Sequence, residues 1–222
     1  MKILRKYAGM DRSDSGRVKL LRKRMRLFHS LISSLPKPVR ILDVGGKEIF
    51  WERLGITKEK TIEITLVNLT SEAIKIPRYK SVVGDGRDMR EYRDGQYDVV
   101  FSNSVIEHVG GFEDQKRMAE ECRRVGKQYF IQTPNYYFPF EPHFLFPFFQ
   151  FFPLWLKIFM IRHFHLGWCD KLPDRERAER AARSVRLLKK RELKELFPGA
   201  TIHTERLGGW IYSFIVTGGG TC

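Results

Sequence analysis

Apolar positions along the chain follow two rhythms. From Ser15, Val18, Leu21, Met25, Phe28, Ile32 and Leu35 recur at steps of three and four residues, which predicts an amphipathic helix with Ser15 as its N-cap and Pro36 and Pro38 as its stop. Lys19, Arg22, Lys23, Arg24 and Arg26 fall on the other face, where solvent is expected. Residues 1–14 show no such rhythm and read as irregular.

The second rhythm is of short, β-branched runs that stop at glycine or a small polar residue. Val39–Val44 carries Asp43 and ends at Gly45 and Gly46. Residues 61–67 end at Asn68, residues 81–83 at Gly84-Asp85-Gly86-Arg87, residues 97–102 at Asn103, and residues 128–133 at Pro134. Each run is too short for a helix and reads as a buried strand. Between them, residues 47–54 predict a short helix. Phe112–Val125 predicts a longer one, with Met118, Cys122 and Val125 on one side and Glu113–Arg117 and Glu120–Arg124 as ion pairs four residues apart on the other. Strand and helix alternate, so a doubly wound α/β fold with a mostly parallel sheet follows. At the far end residues 174–194 read as one charged helix with a thin apolar face, Ala178, Ala182, Val185 and Leu188, and residues 191–197 continue it. Two strands, 200–206 and 210–217, join through Gly208 and Gly209 as an antiparallel hairpin.

Residues 134–170 interrupt the alternation. Within them residues 144–161 hold seven Phe and one Trp, with Gln150 and Lys157 the strongly polar members and Pro147 and Pro153 as breaks. A spanning helix needs about 20 apolar residues without such breaks. A lid over a substrate site, an interfacial segment on a bilayer and a dimer surface are the three readings. The organisation expected is one domain over residues 1–222, with a basic helical extension at 1–36 and the aromatic insertion at 134–170.

Charge sharpens the question of partners. The formal net charge is +14, and residues 1–40 carry 12 Lys or Arg against two acidic residues, while residues 171–195 carry ten against five. The middle of the chain is close to neutral, so the excess sits in two flanking segments that suit an anionic membrane surface, a nucleic acid or plain solvation. Aromatic residues cluster with apolar ones rather than interleaving with Lys and Arg, which argues against a base-stacking platform. Three widely spaced cysteines, Cys122, Cys169 and Cys222, suggest neither a disulfide framework nor a zinc site, and no metal is expected. No apolar stretch follows the basic N-terminus, so no secretory signal is expected. The expected location is the cytoplasm, free or resting on a membrane.

The segments Ile-Leu-Asp-Val-Gly-Gly (41–46), Leu-Val-Asn-Leu (66–69), Val-Val-Gly-Asp-Gly-Arg-Asp (82–88) and Tyr-Asp-Val-Val-Phe-Ser-Asn-Ser-Val-Ile-Glu-His-Val (97–109), with the closing hairpin, resemble class I S-adenosylmethionine-dependent methyltransferases of the type 11 branch. The resemblance implies a seven-stranded Rossmann-like sheet with S-adenosylmethionine as cofactor. It implies that Asp43, Gly45 and Gly46 contact the methionine part, that Asn68 faces the ribose, that Asp85, Gly86 and Arg87 bracket the adenine, and that Asn103 lies beside the sulfonium. The chain departs from the family at Lys47, where a glycine is usual, and at Asn68, where an acid is usual; a neutral hydrogen bond there is weaker than a charge-assisted one. His108 and His143, with Glu141 in Phe-Glu-Pro-His, are candidates for a base acting on the acceptor. The implied function is methyl transfer to a small-molecule or lipid-linked, cell-envelope acceptor. RNA methylation and a non-catalytic binding protein on the same fold are the alternatives.

Overall fold

The computed structural model describes residues 16–55 and 61–219, so the expectations for residues 1–15 and Cys222 lie outside it. Helix α1 (Gly16–Ser33) precedes strand β1 (Val39–Val44), the short helix α2 (Glu48–Arg53), β2 (Ile62–Asn68), β3 (Tyr79–Val83) and β4 (Tyr97–Asn103). Helix α3 (Phe112–Val125) leads into β5 (Gly126–Pro134). A small ribbon follows, β6 (Phe140–Glu141) and β7 (Phe146–Pro147), then helices α4 (Leu154–His163), α5 (Arg175–Arg183) and α6 (Lys190–Leu196), and strands β8 (Thr201–Leu207) and β9 (Trp210–Gly219).

The main sheet has seven strands in the order β3-β2-β1-β4-β5-β9-β8. β1 to β5 run parallel, and β9 lies antiparallel to both β5 and β8. This is the doubly wound sheet with a closing hairpin expected from the sequence. Strand order reverses between β1 and β4, and such a switch point opens a crevice at the carboxyl ends of the strands.

Both faces of the sheet are covered, which is why its strands read as continuous apolar runs. On one face Phe28 and Ile32 of α1 and Trp51 of α2 pack on Val39, Ile41, Ile64, Val99, Phe101 and Phe130. On the other, Met118 and Cys122 of α3 and Leu193 and Leu196 of α6 pack on Leu42, Val44, Val100, Ile131 and Val216. A third, smaller core joins the aromatic insertion to α5 through Phe144, Phe149, Ile161, Leu166, Ala178 and Ala182.

Three expectations are corrected. Arg24 is not in solvent: the buried stripe of α1 runs Leu20, Arg24, Phe28 and Ile32, and Arg24 reaches Glu205 of β8 through Nε (3.1 Å) and Nη2 (2.6 Å). Residues 174–194 are two helices. Between them the backbone bonds outward rather than to the preceding turn: Arg186 N–H donates to the Glu107 carbonyl (2.8 Å) and the Leu188 carbonyl accepts from Tyr136 N–H (3.1 Å). The thin apolar face is therefore divided, Ala178 and Ala182 serving the insertion core and Leu188 the sheet core. On α3 the ion pairs are Asp114–Arg117 (2.5 Å) and Glu121–Arg124 (2.8 Å) instead of the pairs through Glu113 and Glu120. Asp114 is already fixed by the Gly111 N–H and Glu121 by the Met89 N–H, so these are the carboxylates held in reach.

Candidate active site

β1 delivers Asp43 to the switch point, where it pairs in register with Leu66 of β2 and Phe101 of β4. Its carboxylate is buried, with the Trp51 indole Nε1–H donating to Oδ2 (2.7 Å) and Oδ1 left without a hydrogen-bond partner among the described residues. Burial pushes its pKa up to about 7, against the lowering effect of the Trp51 bond. The carboxylate lies directly against the following turn: a Cβ on Gly46 would overlap it, and Gly45, at φ +78°, is packed under Val105. Asn68, at the end of β2, donates from Nδ2 to the Gly46 carbonyl (2.9 Å) and so ties the turn to the neighbouring strand. Lys47, where the family has glycine, extends away to Glu72 (3.4 Å).

The loop after β3 folds across the same edge, and a Cβ on Gly86 would strike Val44. Asp85 is gripped by Arg87 through Nε (2.9 Å) and Nη2 (2.6 Å), which holds its carboxyl below the ordinary range. Arg87 Nη1 also donates to the Val109 carbonyl (3.0 Å), linking this loop to the one after β4. Asn103, at the end of β4, accepts from Arg24 Nη1 (2.5 Å), so α1 reaches the switch point through a side chain. Leu69 and Val83, which the sequence did not single out, stand at the ends of β2 and β3 with 72% and 60% of their surface exposed. Apolar side chains open to solvent at a sheet's ligand edge are what a flat aromatic ligand would cover.

Residues 42–129 match the family model described as the methyltransferase domain, type 11. Over these residues the chain is similar to class I S-adenosylmethionine-dependent methyltransferases. The fold is similar to that of a SAM-dependent methyltransferase from Aquifex aeolicus (13% identity, TM-score 0.53, covering 97% of this chain and 96% of that one). It is also similar to a SAM-dependent methyltransferase from Methanosarcina mazei (14%, TM-score 0.50, 87% and 96%). A third similar structure is phosphoethanolamine N-methyltransferase 2 of Haemonchus contortus in complex with S-adenosyl-L-methionine (14%, TM-score 0.52), of which this chain covers 38% while 82% of its own length is matched. No curated protein sequence matches the chain.

The loops after β4 and β5 bring His108 and His143 together, with ring centroids 4.6 Å apart and the rings edge to face. Each ring is oriented through Nδ1, His108 on the Ser184 carbonyl (3.2 Å) and His143 on Glu141 Oε1 (2.7 Å). Burial, reinforced by His143, lowers the His108 pKa from its ordinary value. Glu141 is itself pinned by the backbone N–H groups of His143 (2.8 Å) and Phe144 (2.6 Å). Glu107, adjacent in sequence and overlooked there, joins them. It is fully buried, Oε2 accepts from the Thr133 hydroxyl (2.9 Å), and burial pushes its carboxyl up to about 7. Nothing local marks Glu107 in the sequence, because only the fold buries it.

Beside this cluster lies a cavity of about 200 Å³ lined by Tyr136, Glu141, Gln150, Lys157, Arg186 and Glu192. Farther out, the insertion encloses an almost wholly apolar cavity of about 410 Å³ between Phe144, Phe146, Pro147, Met160, Phe164 and Leu166. Trp155, Phe159, Phe164 and Trp168 of the insertion point into solvent. No helix among the described residues is long and apolar enough to cross a membrane.

Proposed function

We propose that the chain is a class I S-adenosylmethionine-dependent methyltransferase that holds its cofactor across the carboxyl ends of β1 to β4 and methylates an amphiphilic, lipid-linked or small-molecule acceptor beneath the aromatic insertion. In this reading Asp43, Gly45 and Gly46 meet the methionine part, Asn68 the ribose, Asp85, Gly86 and Arg87 the adenine, and Asn103 the sulfonium region. Three features support the assignment. Asp43 has a buried, unpartnered oxygen suited to an ammonium group; Gly46 lets the turn run directly against that carboxylate, where a Cβ would not fit; and Leu69 and Val83 offer apolar surface to a base. Asn68 retains an amide oxygen for a hydroxyl, although its Nδ2 is committed to Gly46.

The bound cofactor supplies an electrophilic methyl group, and the protein supplies position, water exclusion and help with the acceptor's proton. His108 and His143, held side by side in fixed orientations, act on the acceptor. The observation that carries the acceptor class is the insertion: a 410 Å³ apolar cavity beside a rim of exposed Trp and Phe suits an acyl or prenyl chain better than a polar metabolite alone. Residues 134–170 are accordingly a lid whose outer aromatic residues rest on the surface from which the acceptor comes. Basic residues lie on the same stretch of chain, Arg162 on α4 and Arg175 and Arg177 on α5.

The test is to incubate the purified protein with methyl-labelled S-adenosylmethionine and either a total lipid extract, a water-soluble extract or total RNA. Label that partitions into the organic phase supports the reading. Label found in RNA would contradict it, and label in the aqueous extract alone would contradict the lipid-linked acceptor and leave the small-molecule one.

A further inference from the structure

We infer that Glu107, His108 and His143 form a binding site for one first-row divalent cation. One ligand atom from each of the three residues lies within 4.8 Å of the others. A metal held tetrahedrally at about 2.1 Å sets such separations near 3.4 Å, so loading requires the cluster to close by at most about 1.4 Å, which three side chains on two loops can supply.

The second layer is already built. A carbonyl only accepts, so the bond to Ser184 fixes the His108 proton on Nδ1 and leaves Nε2 with the lone pair. His143 Nδ1 is committed to Glu141 Oε1, and Glu141 is fixed by two backbone N–H groups. Carboxylate and carbonyl partners on the far nitrogen are the usual way of orienting metal-bound imidazoles and raising their basicity. Thr133 steadies Glu107 through Oε2, and Oε1 of this fully buried carboxylate has no hydrogen-bond partner among the described residues. An orphaned buried carboxylate oxygen beside two imidazoles is hard to account for as core packing, since buried polar atoms are normally paired. A cation accounts for it.

Two nitrogens and one carboxylate oxygen select borderline metals such as Zn²⁺, Mn²⁺, Fe²⁺ or Co²⁺ over Mg²⁺ and Ca²⁺, which prefer all-oxygen sets. Three protein ligands leave coordination open to water or to an oxygen of the acceptor, so with the metal bound the two imidazoles act on the acceptor through it and not as free bases. The acceptor half of that statement rests on the methyl-transfer reading above; the metal site itself does not.

The test uses the full chain stripped with chelator and titrated with Zn²⁺ and Co²⁺ against a metal-binding dye, with S-adenosylhomocysteine affinity measured on the same samples. One equivalent of metal is expected, with a cobalt spectrum lacking the thiolate charge-transfer band that binding through Cys169 would give. His108→Ala/His143→Ala should lose this metal. Glu107→Gln keeps the shape and the Thr133 bond, and should weaken affinity by about 100-fold while cofactor binding and melting temperature hold. Glu141→Gln should weaken it by about 10- to 100-fold through His143. Wild-type protein that binds S-adenosylhomocysteine but takes up no equivalent of metal would overturn the inference, as would uptake unchanged in Glu107→Gln or in the double variant. Metal uptake without S-adenosylhomocysteine binding would count against the cofactor reading and leave the metal site standing.

Discussion

With Asp43 holding the cofactor's ammonium group, as proposed, cofactor affinity becomes a function of pH, and the size of the effect follows from the surroundings of Asp43. The free protein holds this carboxyl at about 7, because burial outweighs the Trp51 bond. An ammonium placed beside Oδ1 would require the ionised form, so binding competes with protonation. With a pKa of about 7, the ionised fraction is about 3% at pH 5.5 and one half at pH 7, and the apparent Kd falls by about 16-fold between them. The α-amino group of the ligand stays protonated over that range, its ordinary pKa being about 8. Isothermal titration of S-adenosylhomocysteine at pH 5.5, 6.0, 6.5 and 7.0 reads the slope directly. Asp43→Asn keeps an acceptor for Trp51 and removes the titration, so its affinity should be weak and lack this slope. The sign for stability is opposite. A carboxyl whose folded pKa is raised favours the fold while protonated, so the free protein loses stability as pH rises from about 4 to about 7, and Asp43→Asn removes that loss. A flat wild-type Kd over this range, or the same slope in Asp43→Asn, would refute the reasoning.

Other consequences are equally direct. Glu205→Ala strands the buried Arg24 guanidinium and should lower unfolding free energy by about 3–5 kcal/mol in urea titration, since breaking a buried pair leaves an uncompensated charge. Gly46→Ala drives a methyl group into the Asp43 carboxylate and should abolish S-adenosylhomocysteine binding in calorimetry. Trp155→Ala/Phe159→Ala should reduce flotation with anionic liposomes at low salt without changing cofactor affinity; wild-type protein that does not float at all would remove the membrane reading. Cys122, buried with its thiol pushed up to about 12, should resist alkylation in the folded protein, and the partly exposed Cys169 should react before it.

The strands and their order of use were legible because parallel strands covered on both faces need uninterrupted apolar runs, and Val39–Val44 and Tyr97–Asn103 supply them. The break between α5 and α6 was not, because residues 184–188 have acceptable helical composition and are diverted by partners at Glu107 and Tyr136 far away in sequence. Arg24 looked like one more basic residue on a solvated face; only Glu205, 181 positions later, makes it a buried one. The two histidines were visible as residues of reactive type, but Glu107 gains its meaning from burial and from the Thr133 bond. Leu69 and Val83 were hidden for the opposite reason, since apolar residues at strand ends read as core until the fold leaves them uncovered.

A crystal structure of the protein grown with S-adenosylhomocysteine tests the central claim most directly. The account predicts density for the ligand at the carboxyl ends of β1 to β4, with its amino-acid end at Asp43 and Gly46 and its base against Leu69, Val83 and the Asp85–Arg87 loop. Ligand density elsewhere on the molecule, or an unchanged empty edge in crystals soaked to saturation, would contradict it.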